Sequence, residues 1–484
     1  MDVKLIFFII YCLIILFVGY LGYRKTKTLG DFYLAGRQLN KWIAAGTFAG
    51  TFVSAITFVS WIGFGWRFGT AILPVYIFGC LIGYIVYAFV APKLSMLADR
   101  NDIYTPSDFY ERRFDSSFLR LWTTIFTIIG FTLYLGIQLI GTGVLFEVIL
   151  GIPFIYGVII LGVVYTIYTL MGGMKSVAWT DAIQFSLFVI ATLVAFAYVL
   201  PKVGGFSQMN ASLAAIDVNL LTLNAGGAFK PLWIIGIGFA VTLVIPLHYG
   251  YMSRAMACKT PRDALGMVGI GSGILMVFYV AILVLALSAR VLIPDVESIS
   301  GLDKAFPTMV LEHFPVALGA FILVALGAAV MSTTDSILLQ VGSNISNDIF
   351  KRYINKDADD KKTLSVARIF VIIFAVITIV FALTKPAALY LIYNFFIVFL
   401  VAPYVAIFFF GLFWKKATKA GALTSAIVGG GIGIFIQALQ IAKVAPPSLS
   451  FHPTLYAVPV SVILMIVVSL ASKQYPDEHV KKWF

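Results

Sequence analysis

Charged side chains are scarce in this chain. Asp, Glu, Lys and Arg make up 12% of its 484 residues, about half the share in an ordinary soluble protein. With 61% of residues hydrophobic, a water-soluble globule is excluded. Cysteine is nearly absent: Cys12, Cys80 and Cys258 lie in or beside apolar blocks without paired spacing, which argues against a disulfide framework or a thiolate metal site. The four histidines, His248, His313, His452 and His479, are scattered, so no HExxH helix or other zinc cluster is available, and an enzyme is not expected. No GxxxxGK[ST] segment occurs, which removes P-loop nucleotide hydrolysis as an energy source. No period of roughly 20 to 50 residues recurs, so the chain is not a solenoid.

What the chain has in abundance is long apolar blocks. They run to about twenty residues, the length of helix that crosses a hydrocarbon core of roughly 30 Å. Inside lipid every backbone amide needs an internal partner, and blocks this uniform meet that need only as helices. The expected fold is an all-α polytopic membrane protein. Thirteen spans are expected, over 4–23, 42–66, 71–96, 121–149, 154–172, 179–201, 232–254, 265–290, 315–346, 365–384, 387–413, 419–441 and 454–472. With the N-terminus outside, alternation places 26 of the 34 Lys and Arg residues on the cytoplasmic side, together with the C-terminus. Positive residues favour that side. The net charge of +12 is thus topogenic, and no nucleic-acid partner is expected. The first block, Leu5 to about Tyr23, lacks a small-residue cleavage site and is followed by Arg24, Lys25 and Lys27. It reads as a retained span and not as a removed signal peptide. The expected setting is the cell membrane, with lipid around the spans and no obligatory protein partner.

Two spans look weak as helices. The second is rich in small residues (AAGTFAGTFVSAITF, from Ala44), and the seventh is interrupted by Pro246 and Gly250. If the first span is peripheral, these two open sets of five over 42–201 and 232–413, with 1–23 and 419–472 outside them. Weak helices at corresponding positions point to an inverted-repeat transporter with a site near the midplane. Small residues that merely allow close packing are the alternative.

A charge within a span is costly in lipid, so the few that occur carry information. Asp181 lies near the cytoplasmic end of the sixth span, and Asp335 lies deep in the ninth. Glu147, Arg254 and Arg290 fall close to span ends, from which a long side chain is expected to reach water. Ser332 and Asp335 share a helical face at i, i+3, and Thr333, Thr334 and Ser336 add hydroxyls. Oxygen without sulfur or imidazole suits a hard monovalent cation; a helix whose hydroxyls satisfy its own carbonyls is the alternative. An ion gradient is the energy source that remains for uphill transport.

Several stretches then match a known family in order: DFYLAGRQL (31–39), TFVSAITF (51–58), TPSDFYERRF (105–114), YTLMGGMKSVAWTDAIQ (168–184, with its GG…TD..Q signature) and AAVMSTTDSILL (328–339). On these the chain resembles the sodium/solute symporter family, whose relatives carry proline, pantothenate, sialic acid, sugars, iodide and monocarboxylates. The resemblance implies a LeuT-type inverted repeat of ten core helices, with one span before and two after, and sodium symport by alternating access. It implies a coupling Na+ between the first and eighth core helices, held by the main-chain carbonyls of Gly50, Val53 and Ala329 and the hydroxyls of Ser332 and Thr333. Asp181 matches an aspartate on the ion's route to the cytoplasm, where it supports release or a second sodium. Asp335 is assigned to the same route. No organic cofactor is implied.

The solute is less defined. The family's proline and pantothenate carriers have a Pro-His pair shortly before the Arg that ends the sixth core helix, whereas this chain reads LHYGYMSR with the proline moved to Pro246. Ile56 and Thr57 stand where the sugar and sialic acid carriers have polar residues. A small solute is expected, held by Ser54, Thr57, Gln138, His248, Tyr249, Tyr251 and Asn394 in some combination. His248 either contacts a carboxylate or packs as a neutral ring. The stretch SFHPTLYAVPV resembles the pantothenate carriers and tilts the reading towards an organic anion such as pantothenate or a monocarboxylate. Proton coupling through Asp181 or Asp335, a proline- or sugar-type solute, a channel and a non-transporting sensor stay open as alternatives.

Overall fold

Helix boundaries follow polar caps and prolines placed between the apolar blocks. Asn40 accepts from the Trp42 and Ile43 amides, and Thr105 opens a helix whose first residue is Pro106. Ser116, Thr260, Asp359 and Thr418 cap four more helices. Each gives an acceptor to amides that a first turn leaves free, and proline fits there because that position donates no intrahelical bond. The computed structural model describes residues 3–24, 26, 28–295, 301–384 and 389–484.

The helices used below are α1 (Val3–Tyr23), α2 (Lys41–Phe52), α3 (Ile56–Ala71), α4 (Leu73–Arg100), α5 (Pro106–Phe114), α6 (Ser117–Leu150), α7 (Phe154–Ile167) and α8 (Gly173–Lys202). They continue with α9 (Pro231–Leu247), α10 (Tyr249–Ala257), α11 (Pro261–Leu292), α12 (Val316–Ile354), α13 (Asp360–Leu383), α14 (Ile392–Phe413), α15 (Lys419–Ile441) and α16 (Thr454–Ala471). Among the described residues eleven helices are long and apolar enough to cross a membrane, and the bent pair α2–α3 makes a twelfth. This is a multi-pass membrane protein. The span expected over 154–172 is helical, but its apolar run, α7, is shorter than the others. Residues 387 and 388, expected to start a span, lie outside the described residues, as do Lys25, Lys27 and Lys385 among the basic residues assigned to sides above.

α7 and α8 meet at Gly173, whose φ of 59° and ψ of −162° suit only glycine. A Cβ there would come within 2.5 Å of the Phe32 ring, so the GG…TD..Q signature marks a turn against the segment that leads into α2. Small residues also set the spacing of α2 on α8. A Cβ at Gly46 would stand 2.8 Å from Ala182 Cβ, and one at Gly50 would stand 3.1 Å from Asp181 O. Such close approach is how helices associate where lipid removes the hydrophobic drive.

Burial separates centre from rim. In α12, 78% of the apolar stretch is buried, against 28% in α13 and 33% in α1 and α16. Phe7, Leu13 and Phe17 of α1 and Ile369, Val376 and Val380 of α13 stay exposed, as lipid permits. α12 packs on α8, α2 on α11, α9 on α4 and α14 on α6. At one end of the bundle the segments flanking α2 and α10 are tied by two backbone bonds, Leu39 N–H to Ala257 O (3.1 Å) and Lys259 N–H to Leu39 O (2.9 Å).

Two helices break in mid-course. α2 stops at Phe52 and the chain resumes as α3 at a 56° bend. α9 stops at Leu247, and His248 is extended (φ −71°, ψ 116°) before α10 begins. Both breaks lie where the small-residue and Pro246–Gly250 signals stand in the sequence.

Candidate functional site

The first break leaves carbonyls open. Ser54 N–H turns to Thr57 Oγ1 (3.4 Å), Ala55 N–H donates to Gln138 Oε1 of α6 (2.9 Å), and Thr57 N–H closes a turn on Ser54 O (3.0 Å). In an unbroken helix those three amides would serve the carbonyls of Gly50, Thr51 and Val53. Hydroxyls of α12 take their place. Ser332 Oγ lies 2.8 Å from Gly50 O and 3.1 Å from Ala329 O. Thr333 Oγ1 lies 2.9 Å from Val53 O, 3.3 Å from Thr51 O and 3.1 Å from Ala329 O.

The five oxygens that the family resemblance assigns to sodium therefore share one buried cluster, and Thr51 O joins them. Four carbonyls face two hydroxyls, each with a single proton to give. The cluster has more lone pairs than protons, and a small cation fits that imbalance. Thr51 was passed over in the sequence, although it sits between Gly50 and Val53 in the same broken stretch.

One turn towards Asn40 lies a buried ion pair. Asp181 Oδ2 accepts from Thr47 Oγ1 (2.6 Å) and from Arg254 Nη2 (3.0 Å), with Ser336 Oγ at 3.3 Å. Arg254 also donates through Nε to Thr47 O (3.1 Å) and through Nη1 to Gly250 O (2.8 Å). Arg254 is fully buried, which corrects the expectation that it reaches water from its span end. The reason is its partner: a guanidinium is held inside only where a carboxylate and acceptors compensate its lost hydration. Arg290 departs from the same expectation, being 8% exposed with its guanidinium over the Trp66 ring. Asp335 is buried beside Ser336, whose hydroxyl lies 3.2 Å from Asp335 Oδ1.

On the other side of the break is a cavity of about 10 Å³, room for a single water. Ser54, Thr57, His248 and Tyr251 line it, with Phe52, Ile56, Trp61, Tyr134, Val244, Tyr393 and Phe396. The His248 ring stacks on Tyr251 at 4.3 Å, and Tyr134 stacks on Phe396 at 4.5 Å. Both His248 ring nitrogens are buried without a protein partner among the described residues. An organic solute enters only when these aromatics part.

The other three residues expected at the solute stand elsewhere. Gln138 is occupied with Ala55, and its Nε2 is buried without a partner among the described residues. Tyr249 points away, its hydroxyl 3.2 Å from Ser107 Oγ and its ring against Tyr404, because neighbours along a helix do not share a face. Asn394 lines a separate pocket beside the 442–453 connection. Trp61 and Tyr134 were missed, although each stands four residues along its helix from a polar candidate, Thr57 or Gln138.

A profile described as the Sodium:solute symporter family matches residues 32–429. The chain belongs to the sodium:solute symporter family. Its sequence is 24% identical to a sodium/pantothenate symporter of Haemophilus influenzae, over 87% of each chain. It is 25% identical to a sodium/glucose cotransporter of Vibrio parahaemolyticus, over 98% of this chain and 92% of that one. It is 27% identical to a high-affinity proline transporter of Bacillus subtilis, over 86% and 88%. The fold is similar to that of a Na+-coupled sialic acid symporter, with a TM-score of 0.84 at 18% identity over 97% and 98% of the two chains. A nucleobase-cation-symport-1 family transporter matches at 0.58 and 11% identity, over 93% and 97%. The LeuT-type fold expected from the motifs is the fold found. The protein is a transporter and not an enzyme, and it performs sodium-coupled symport of a small organic solute by alternating access.

Proposed function

We propose that this symporter brings a small organic anion, such as pantothenate or a monocarboxylate, into the cell together with one sodium ion. The observation that carries the ion half is the lone-pair excess where Gly50, Val53, Ala329, Ser332 and Thr333 converge. Sodium at that point fastens the broken α2–α3 helix to α12 and so sets the rim formed by Ser54 and Thr57. The solute then sits in the adjoining cavity, where both His248 ring nitrogens and Trp61 Nε1 are buried without a protein partner among the described residues. The similarity to a sodium/pantothenate symporter supports an anion. Asp181 is already paired with Arg254, so in this reading it guides the departing ion and does not hold a second one.

The repeats run over 42–201 and 232–413 in this reading, each opening with a broken helix. The N-terminus is outside, so the Leu39–Ala257 tie faces the cytoplasm and sodium leaves past Asp181. One sodium moved with a monoanion carries no net charge, so the membrane potential, worth about 2.3 kcal/mol per charge per 100 mV, does no work on the cycle. Uptake into proteoliposomes tests this. Labelled pantothenate or a labelled monocarboxylate should accumulate on an inward sodium gradient, unaffected by a potassium diffusion potential. Accumulation only of proline or glucose would overturn the anion assignment, and a rate that follows the potential would overturn the pairing of one sodium with a monoanion.

A further inference from the structure

We propose that a second pocket, between α9, α14 and the connection from α15 to α16, binds an amphiphilic hydroxy acid separately from the central cavity. The pocket has a volume of about 590 Å³, within the range of small-molecule sites, whereas the central cavity measures about 10 Å³. Trp233, Ile237, Phe381 and Phe395 give it an apolar body. At its other end three polar atoms, Asn394 Oδ1, Gln437 Oε1 and His452 Nε2, are buried with no protein partner among the described residues. A bare buried polar atom costs about 1–3 kcal/mol, and native interiors seldom leave three together.

The donor pattern defines the ligand. Thr454 Oγ1 (2.8 Å) and Thr454 N–H (3.4 Å) both lie against His452 Nδ1; with that nitrogen accepting from the amide and the hydroxyl, the ring proton sits on Nε2. His452 is held there by Gly236 of α9, where a Cβ would meet His452 Cβ at 2.9 Å. The loop wall is fixed by Gln440 Nε2, which donates to Leu449 O (2.6 Å) and Phe451 O (2.7 Å). Lys443 adds an exposed cation at the mouth. A carboxylate satisfies His452 and Lys443, a hydroxyl donates to Gln437 or Asn394, and a hydrocarbon chain fills the rest. The same head chemistry can arrive on a free acid or on a membrane lipid; the free acid is the ligand proposed, because a pocket of about 590 Å³ takes one short chain and not the two long chains of a phospholipid.

The probe is 3-hydroxydecanoate, titrated calorimetrically into the full chain in phosphatidylcholine nanodiscs. Saturable binding, tighter than that of decanoate, is expected, with at least tenfold loss in Gln437→Leu/His452→Phe and in Ile237→Trp, which fills the pocket. Thr57→Val, in the central cavity, should leave binding unchanged. Sodium-dependent thermal stabilisation shows that each variant is folded. Wild-type affinity in both folded pocket variants, equal binding of decanoate, or loss in Thr57→Val would overturn the proposal. So would a native mass spectrum showing a retained phospholipid that the acid fails to displace.

Discussion

Alanine at Thr333 should raise the sodium concentration for half-maximal uptake roughly ten- to hundredfold while leaving the fold nearly intact. The Thr333 hydroxyl lies within 3.3 Å of three carbonyls, those of Thr51, Val53 and Ala329, and its side chain is wholly buried. In the ion-free protein the loss amounts to a net hydrogen bond, about 0.5–1.5 kcal/mol, partly offset by the better helix propensity of alanine. With sodium present the missing oxygen faces a full charge, and such contacts are worth about 1.5–3 kcal/mol. At about 1.4 kcal/mol per decade, that range gives the expected shift. Thr333→Ser keeps the oxygen and should stay close to wild type. The assay is uptake of labelled solute into proteoliposomes across a range of sodium concentrations, paired with sodium-dependent thermal stabilisation without solute. A wild-type sodium curve in a folded Thr333→Ala protein would refute the site. Equal impairment of the serine and alanine variants would refute the assignment of the hydroxyl.

Arg254→Met leaves Asp181 charged and buried, a loss of about 3–5 kcal/mol; thermal unfolding should show a large drop that Asp181→Asn in the same chain largely restores. Gly46→Val puts methyl groups where even a Cβ stands 2.8 Å from Ala182, so uptake and melting temperature should both fall, and a normal melting temperature would contradict the close approach of α2 and α8. Tyr249→Phe should leave the solute concentration for half-maximal uptake unchanged, whereas His248→Ala should shift it by an order of magnitude; the reverse pattern in uptake kinetics would move the solute to the Tyr249 side. Burial pushes the Glu111 carboxyl up, but hydrogen bonds and charges from Arg352 and Arg120 outweigh it and hold the carboxyl below the ordinary carboxylate range. Its stabilising effect is complete above the unfolded value, about pH 4.3, and is lost as pH falls through the lower folded value. Acid titration of melting temperature should therefore be shallower in Glu111→Gln across that window.

Composition and block length are enough to read the membrane class, and motif order is enough to read the family, because lipid leaves few backbone solutions. The broken helices were legible as small residues around Gly50 and as Pro246–Gly250. The hydroxyls of Ser332 and Thr333 were legible because a polar residue inside a span stands out. Arg254 was misread for a physical reason: distance along the chain to a span end says nothing of a carboxylate supplied by another helix. Tyr249 and Asn394 stand away from the central cavity because rotation about the helix axis decides what a residue faces, and for Tyr249 the break at His248 resets that rotation. The apolar lining, Phe52, Tyr393 and Phe396, carried no signal against a background already rich in aromatics.

The hydroxyls of Ser332 and Thr333 also bear on the cycle when no ion is held. Each O–H is a rotor: it points its proton at a carbonyl when the cluster is vacant and swings aside to present lone pairs to a cation. In the vacant cluster the two hydroxyls thus give a proton to two of the four carbonyls, and vacating the cluster needs two bond rotations and no refolding of the helix. A vacancy partly healed in this way limits how tightly sodium is held, to the difference between the two arrangements. It also lets the carrier turn back empty, which a symporter must do once in every round.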